Sequence, residues 1–145
     1  MAATYDNDII AWATEQAALL RAGKFSELDI ENIAGAIEDV GKAEQFEFAK
    51  QMAALLTFLL QWACQSASRG PNLQAVIGVQ RKRLQRRLSK MPSLRPLLVD
   101  EDWIADMWGD ARDAACKEAG IEYVIFPEQC PWALARALDD TFWPD

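Results

Sequence analysis

The chain contains no histidine among its 145 residues, and this absence removes several classes of active site. Histidine is the side chain that most often acts as a general base at neutral pH, and it is the commonest metal ligand. Pairs in which histidine activates a serine or a cysteine therefore cannot be built from this chain alone. The Glu-x-x-His motif of helical di-iron proteins is excluded for the same reason.

Cysteine is also scarce, with three residues far apart at Cys64, Cys116 and Cys130. An odd number without Cys-x-x-Cys spacing fits neither a disulfide framework nor a zinc site, and it is typical of a reducing compartment. A secretory signal is missing from the N-terminus. The best membrane candidate, residues 51–68, is diluted by glutamine and serine, which indicates a buried helix. We therefore expect a soluble cytoplasmic protein without membrane association.

Glycine and proline are few, at seven and six residues, and runs of alternating β-branched or aromatic residues are missing. Alanine, leucine, glutamate and glutamine fill the long stretches, and these residues lose little side-chain freedom in a helix. Residues 121–126 come nearest to a short extended segment. The sequence predicts an all-α fold, and its length predicts one domain over residues 1–145.

Capping residues and apolar spacing predict about four main helices and a short C-terminal one. The predicted starts are Asp6 or Asp8, Asp29, Asn72, Asp100 or Asp102, and Cys130-Pro131. The first helix should end before Gly23, the third near Lys90 and the fourth before Gly120. Residues 48–64 are apolar nearly all round, so this part of the second helix is expected at the centre. Short connections predict an up-and-down bundle.

Charge is segregated along the chain, which has a net charge of −7. No acidic residue occurs between Phe48 and Val99, and that interval holds nine basic residues. On the third helix a basic stripe is formed by Arg83, Arg86, Arg87 and Lys90. On the fourth helix a matching acidic stripe is formed by Asp102, Asp106, Asp110 and Asp113.

Three interpretations of the basic stripe remain open. The two stripes can lie near each other on neighbouring helices. Each stripe would then lower the repulsion among the like charges of the other. The basic stripe can instead contact nucleic-acid phosphates, an affinity that falls steeply with salt. A pI of about 4.6 and the lack of nucleic-acid-binding motifs argue against that use. An acidic protein partner can use the same face.

Cys130 is the candidate for a reactive thiol, because it precedes Pro131 at a predicted helix start. Backbone N–H groups at such a start lower the pKa of a thiol. Without a histidine base, a small buried packing residue is the competing interpretation. The acidic pairs Asp6/Asp8 and Glu38/Asp39 have no spacing specific for a metal, and no nucleotide or acyl-transfer motif occurs. We predict no catalytic residue, no metal ligand and no cofactor.

An ordered set of motifs extends over nearly the whole chain. Its main members are Tyr5-Asp6-x-Asp8 with Trp12, Leu28-Asp29-x-x-Asn32-Ile33, Ile37-Glu38-Asp39-Val40-Gly41, Leu59-Leu60-x-Trp62, Gln80-Arg81-x-Arg83-Leu84, Pro92-Ser93-Leu94-Arg95, Phe126-Pro127-x-x-Cys130-Pro131-Trp132 and Leu138-Asp139-x-x-Phe142-x-Pro144. In this combination the chain resembles a bacterial family known as domain of unknown function 29. The resemblance implies a small helical bundle and no assigned activity.

The chain departs from the family's pattern in two places. Gly35-Ala36 stand where the family tends to carry two glutamates, and Phe58 stands where it tends to carry histidine. The resemblance therefore carries over no catalytic residue. Our leading hypothesis is a non-catalytic interaction or regulatory module that acts through a protein partner or as a homo-oligomer. The alternatives are a nucleic-acid-binding protein that uses the basic stripe, and an enzyme that depends on Cys130 or on carboxylates and a metal.

Overall fold

The computed structural model describes residues 4–120, 122 and 125–145, and every regular element in that part is helical. The α-helices are α1 (Ile9–Arg21), α2 (Ile30–Cys64), α3 (Pro71–Lys90), α4 (Glu101–Ala119) and α5 (Leu134–Ala137). Short 3₁₀ helices cover Phe25–Glu27, Ser66–Ser68 and Pro92–Val99. The prediction of an all-α helical bundle is confirmed.

Local capping defines both ends of α1 as predicted. The Asp8 side chain accepts a hydrogen bond from the backbone N–H of Ala11 at 3.1 Å, which satisfies one of the free donors of the first turn. After the last turn, Gly23 adopts a left-handed φ of +74°, a conformation that a Cβ disfavours. The same two devices delimit α4, where Asp100 caps the start and Gly120 follows the end with a φ of +65°.

Three predicted boundaries are wrong or incomplete. Helix α3 begins at Pro71 rather than at an Asn72 cap, because a proline without an N–H suits the first helical position. Residues 92–99, which fall between the predicted third and fourth helices, form a 3₁₀ helix that the sequence does not predict. The final helix begins at Leu134 and not at Pro131, since Trp132 packs its ring against Trp108 at a centroid distance of 6.2 Å. The possible extended segment, residues 121–126, lies largely outside the described residues.

The chain divides into two compact units, one up to Glu44 and one from Gln45 onward. Helix α2 contributes its first half to one unit and its second half to the other. In the first unit the buried side chains of α1 are Trp12 and Gln16. Folding as one domain stays a prediction, because two compact units that share a helix can still unfold together.

The core of the second unit is built around the second half of α2, which confirms the predicted central position of residues 48–64 for this unit. Its buried members include Phe48, Met52, Leu55, Leu56, Leu59 and Leu60 from α2, Ile77, Leu84 and Leu88 from α3, and Met107, Trp108, Ala111 and Ala115 from α4. Each fully buried leucine contributes about 1.5–3 kcal/mol of transfer free energy. No helix in the described part is both long and apolar enough to cross a membrane.

Candidate functional site

The basic residues of α3 are divided by the helical repeat between the core and the surface. Arg81 shares the inward face with Leu84 and Leu88, at i+3 and i+7, and it is only 1% exposed. Arg83 and Arg86 lie on the outward face and are exposed. The same helix therefore buries one guanidinium and presents others to solvent.

The buried guanidinium of Arg81 holds the C-terminal segment of the chain. Its Nε donates to the carbonyl oxygen of Ala137 at 2.9 Å, and its terminal nitrogens donate to the carbonyls of Asp140 and Phe142. Burial lowers the pKa of Arg81, while the nearby carboxylates of Asp140 and Asp139 raise it. These hydrogen bonds offset much of the cost of burying the charge.

Further polar contacts fix the same segment against the surface of α3. The Nε2 of Gln85 donates to the carbonyl oxygen of Leu138 at 2.9 Å and to the carboxylate of Asp140 at 3.1 Å. Lys82 forms a salt bridge with Asp140 at 3.1 Å. Hydrogen bonds from Lys82 and then Gln85 are the main causes that lower the pKa of Asp140. The C-terminal segment thus forms a fixed wall beside α3.

A groove of about 720 Å³ runs between this wall and the outward face of α3. Apolar atoms come from Ala75, Gly78, Val79 and Trp143, and positive charge comes from Lys82, Arg83 and Arg86, with Asp140 also in the lining. Val79 is 53% exposed. The groove therefore combines an apolar floor with a basic rim; we call it the α3 groove.

Of the predicted basic stripe, the structure places Arg83 and Arg86 in the lining of the α3 groove. Lys90 is exposed on the same helix outside that lining. Arg87 is half-buried, and its Nε donates to the side-chain oxygen of Gln51 at 3.1 Å. The residues of the stripe therefore have three different environments: two line the groove, one lies on the exposed surface outside it, and one packs against α2.

The interpretation that the basic stripe and the acidic stripe of α4 lie near each other and lower like-charge repulsion stays a prediction. Among the described residues, Arg83, Arg86 and Lys90 form no salt bridge with the acidic stripe. That stripe comprises Asp102, Asp106, Asp110 and Asp113, all of them exposed. The positive charge at the groove is consequently available to a ligand from outside the chain.

Comparison with known families gives one match, which extends over residues 4–143 and is described as Domain of unknown function DUF29. The chain belongs to this family. The resemblance that the ordered motifs indicated is thereby confirmed. Comparison with curated proteins and with solved structures gives no match.

Several of the motif residues of this DUF29 member have structural tasks. The indole N–H of Trp12 and the side-chain amide of Asn32 both donate to the Asp29 carboxylate, at 2.9 and 2.8 Å. The side-chain oxygen of Gln16 accepts from the backbone N–H of Asp29 at 2.9 Å. The bonds from Asn32 and then Trp12 lower the pKa of Asp29. This cluster ties α1 to the start of α2.

The surroundings of the candidate thiol in the DUF29 chain favour the reactive thiolate less than the sequence suggests. Cys130 is half-buried, burial raises the pKa of its thiol, and its Sγ donates to the carbonyl oxygen of Trp132 at 3.3 Å. Because α5 begins only at Leu134, the thiol does not lie at a helix start. Carboxylates of Glu101 and Asp102 line the cavity of about 460 Å³ that Cys130 touches. Negative groups of this kind do not favour a thiolate.

The candidate carboxylates are likewise dispersed in the structure. Asp8 caps α1, and Asp6, Glu38 and Asp39 are exposed. Within the described ranges no cluster of three or more carboxylate or thiol side chains is close enough to hold a metal ion.

The sequence alone does not predict the side of the α3 groove that the C-terminal segment forms. Trp143 and Asp140 line it, and they lie far from α3 along the chain, so no local pattern connects them. The spacing of Arg81 with Leu84 and Leu88 was a usable signal, because it places the arginine on the buried face. A second usable signal was Val79, an apolar residue on the exposed face of a largely basic helix.

Proposed function

We propose that this DUF29 chain is a non-catalytic protein-binding module of the bacterial cytoplasm, and that the α3 groove receives an acidic amphipathic helix of a protein partner. The observation that carries the proposal is that Arg83 and Arg86 lie beside the apolar residues of the groove, and that neither arginine forms a salt bridge with another described residue. A ligand that matches both features needs apolar side chains on one face and carboxylates beside them.

The two parts of the groove have different roles in this binding. Exposed Val79 and the edge of Trp143 supply the apolar contacts that release water and give affinity. The guanidinium groups of Arg83 and Arg86 steer acidic partners and select against basic ones. The Arg81 contacts keep Trp143 in place before a partner arrives, which lowers the entropic cost of binding.

Nucleic acid is the second use of a basic surface, and the groove fits it less well. Phosphates would contact Arg83 and Arg86 but would leave the apolar floor without a partner. The experiment below distinguishes the two ligands.

A labelled helical peptide with leucines at i, i+3, i+4 and i+7 and glutamates elsewhere is the probe, and fluorescence anisotropy measures its dissociation constant. A scrambled peptide of equal composition and a duplex DNA are the comparison ligands. We expect the amphipathic peptide to bind more tightly than the scrambled one. Arg83→Glu/Arg86→Glu should weaken its binding by about tenfold or more, because attraction at the rim becomes repulsion.

The matched control is Arg95→Glu/Lys117→Glu, which reverses two exposed charges away from the α3 groove. It should leave peptide binding close to that of the wild type. Equal affinity for the scrambled peptide would refute recognition of an apolar face. Salt-sensitive binding of DNA alone, lost in Arg83→Glu/Arg86→Glu, would assign the groove to nucleic acid instead.

A further inference from the structure

The first half of α2 carries apolar side chains on its outer surface. Ile30, Ile37 and Val40 are 69%, 67% and 67% exposed. Positions 30, 37 and 40 lie on one face of the helix, and the exposed Glu31 and Glu38 border that face on one side. We call these five residues the α2 stripe. An apolar stripe with a polar border is the feature by which a helix packs against another surface.

Helix α3 carries a row of exposed residues whose charge is opposite to that of the α2 stripe. Its exposed positions Val76, Val79, Arg83, Arg86 and Lys90 follow each other at alternating intervals of three and four residues. The positions Ile30, Ile33, Ile37 and Val40 of α2 follow the same alternation. Such alternation places residues along one seam, which is the geometry of two packed helices.

Charge decides which surface the α2 stripe can pack against. The chain up to Glu44 contains nine acidic and three basic residues, so two α2 stripes brought together would repel each other. The α3 groove offers the exposed Val79 beside Arg83 and Arg86, and is therefore a surface complementary to the α2 stripe. Each copy of the protein carries both halves of this pair.

We infer that the α2 stripe of one copy packs into the α3 groove of a second copy, and that the α2 stripe of the second copy packs into the α3 groove of the first. This inference rests on the proposed function, because it names a second copy of this chain as the acidic amphipathic helix that the groove receives. Two reciprocal contacts form a closed pair with two-fold symmetry. Each added contact brings the buried area closer to the roughly 1,200–2,000 Å² of a stable interface.

A charge exchange between two variants tests the pairing. The groove variant is Arg83→Glu/Arg86→Glu, and the stripe variant is Glu31→Arg/Glu38→Arg; all four side chains are exposed. Sedimentation velocity should show a dimer for the wild type and monomers for either variant alone, with a dimer dissociation constant raised about tenfold or more. An equimolar mixture should form a heterodimer, because both of its contacts then join opposite charges.

Arg95→Glu/Lys117→Glu is again the control, and it should remain dimeric. Ile37→Lys places a charge in the apolar part of the stripe at a residue that is itself exposed, and it should also give monomers. Circular dichroism verifies that each variant keeps its helix content.

A mixture of the two variants that stays monomeric would overturn the inference, and so would a wild type that is monomeric at every concentration. Neither result touches the proposed function, since the stripe variant keeps an intact α3 groove. Its anisotropy titration with the acidic amphipathic peptide decides that question. Failure of the stripe variant to bind the peptide would remove both the proposed function and the inference built on it.

Discussion

The guanidinium of Arg81 lies 5.0 Å from the ring centroid of Trp143, although the two residues are far apart in the sequence. The indole also packs against Trp62 at a centroid distance of 4.6 Å, so it is held from both sides. Because the same guanidinium donates to the carbonyls of Ala137 and Phe142, the C-terminal segment is fixed as one wall of the α3 groove. Arg81 thereby connects the stability of the fold to the shape of the site.

Replacing Arg81 by methionine keeps the volume of the side chain and removes its donors. The carbonyls of Ala137 and Phe142 then lose a charged partner, and we expect the free energy of unfolding to fall by about 2–4 kcal/mol. Urea unfolding followed by circular dichroism measures the change. The control Arg95→Met alters an exposed arginine and should change stability by less than about 0.5 kcal/mol. Equal effects of both substitutions would show that the Arg81 contacts contribute nothing specific.

The Asp29 carboxylate gives the first unit a pH-dependent stability. Hydrogen bonds from Asn32 and then Trp12 lower its pKa below the ordinary value of 3.8, so the folded state favours the charged form. The contribution is present above the unfolded pKa and is lost as pH falls through the folded one. Asp29→Asn should therefore reduce stability at neutral pH and flatten the decrease between about pH 5 and pH 3.

The control for Asp29 is Asp39→Asn, which changes an exposed carboxylate of the same helix. Its unfolding free energy should follow the pH dependence of the wild type. A pH profile of Asp29→Asn that is indistinguishable from that of the wild type would contradict the role assigned to these hydrogen bonds.

The shared helix α2 predicts that the two units unfold together, as one domain. Calorimetry of the wild type should give a single transition with equal calorimetric and van't Hoff enthalpies. Ala43→Pro interrupts α2 near the junction of the units, at a cost of about 3 kcal/mol or more, and should separate the transition into two. Ala43→Gly, which weakens the helix by only about 1 kcal/mol, should keep a single one. Two transitions in the wild type would refute the prediction.

Burial of Cys130 predicts a slow thiol. Because burial raises the pKa of this thiol, little thiolate forms at neutral pH, and alkylation by iodoacetamide should be slower in the folded than in the unfolded protein. Peptide mass spectrometry after a timed reaction measures the modified fraction. Cys130→Ser should retain the binding properties of the wild type. Faster alkylation in the folded state would revive the hypothesis of a reactive cysteine.

Much of the helical architecture could be predicted because its signals are local. Asp8, Gly23, Asp100 and Gly120 each act on backbone groups within one turn of helix, so the ends of α1 and α4 can be located from short sequence patterns. Where a contact with a residue far away in the sequence determines a helix boundary, the local sequence pattern predicts that boundary wrongly. Trp132 packs against the core, and the final helix consequently starts later than Pro131 predicts.

The candidate site was predictable only in part for the same physical reason. The exposed charges of Arg83 and Arg86 follow from helical spacing, and they were identified as candidate binding residues. The wall of the α3 groove depends on contacts of Arg81 and Lys82 with the C-terminal segment, which is separated from α3 in the sequence by the whole of α4. No periodicity encodes those contacts, so the groove itself emerges only in the folded chain.

The most direct test of the account is to map where the acidic amphipathic peptide binds, by recording backbone amide shifts of the ¹⁵N-labelled stripe variant during a titration. We predict that the largest shifts fall on α3 around Val79, Arg83 and Arg86 and on Asp140 and Trp143, and that Arg83→Glu/Arg86→Glu added to the same chain abolishes them. Shifts confined to α1, α4 or the Cys130 cavity, or saturation without any change along α3, would contradict the assignment of the α3 groove as the protein-binding site.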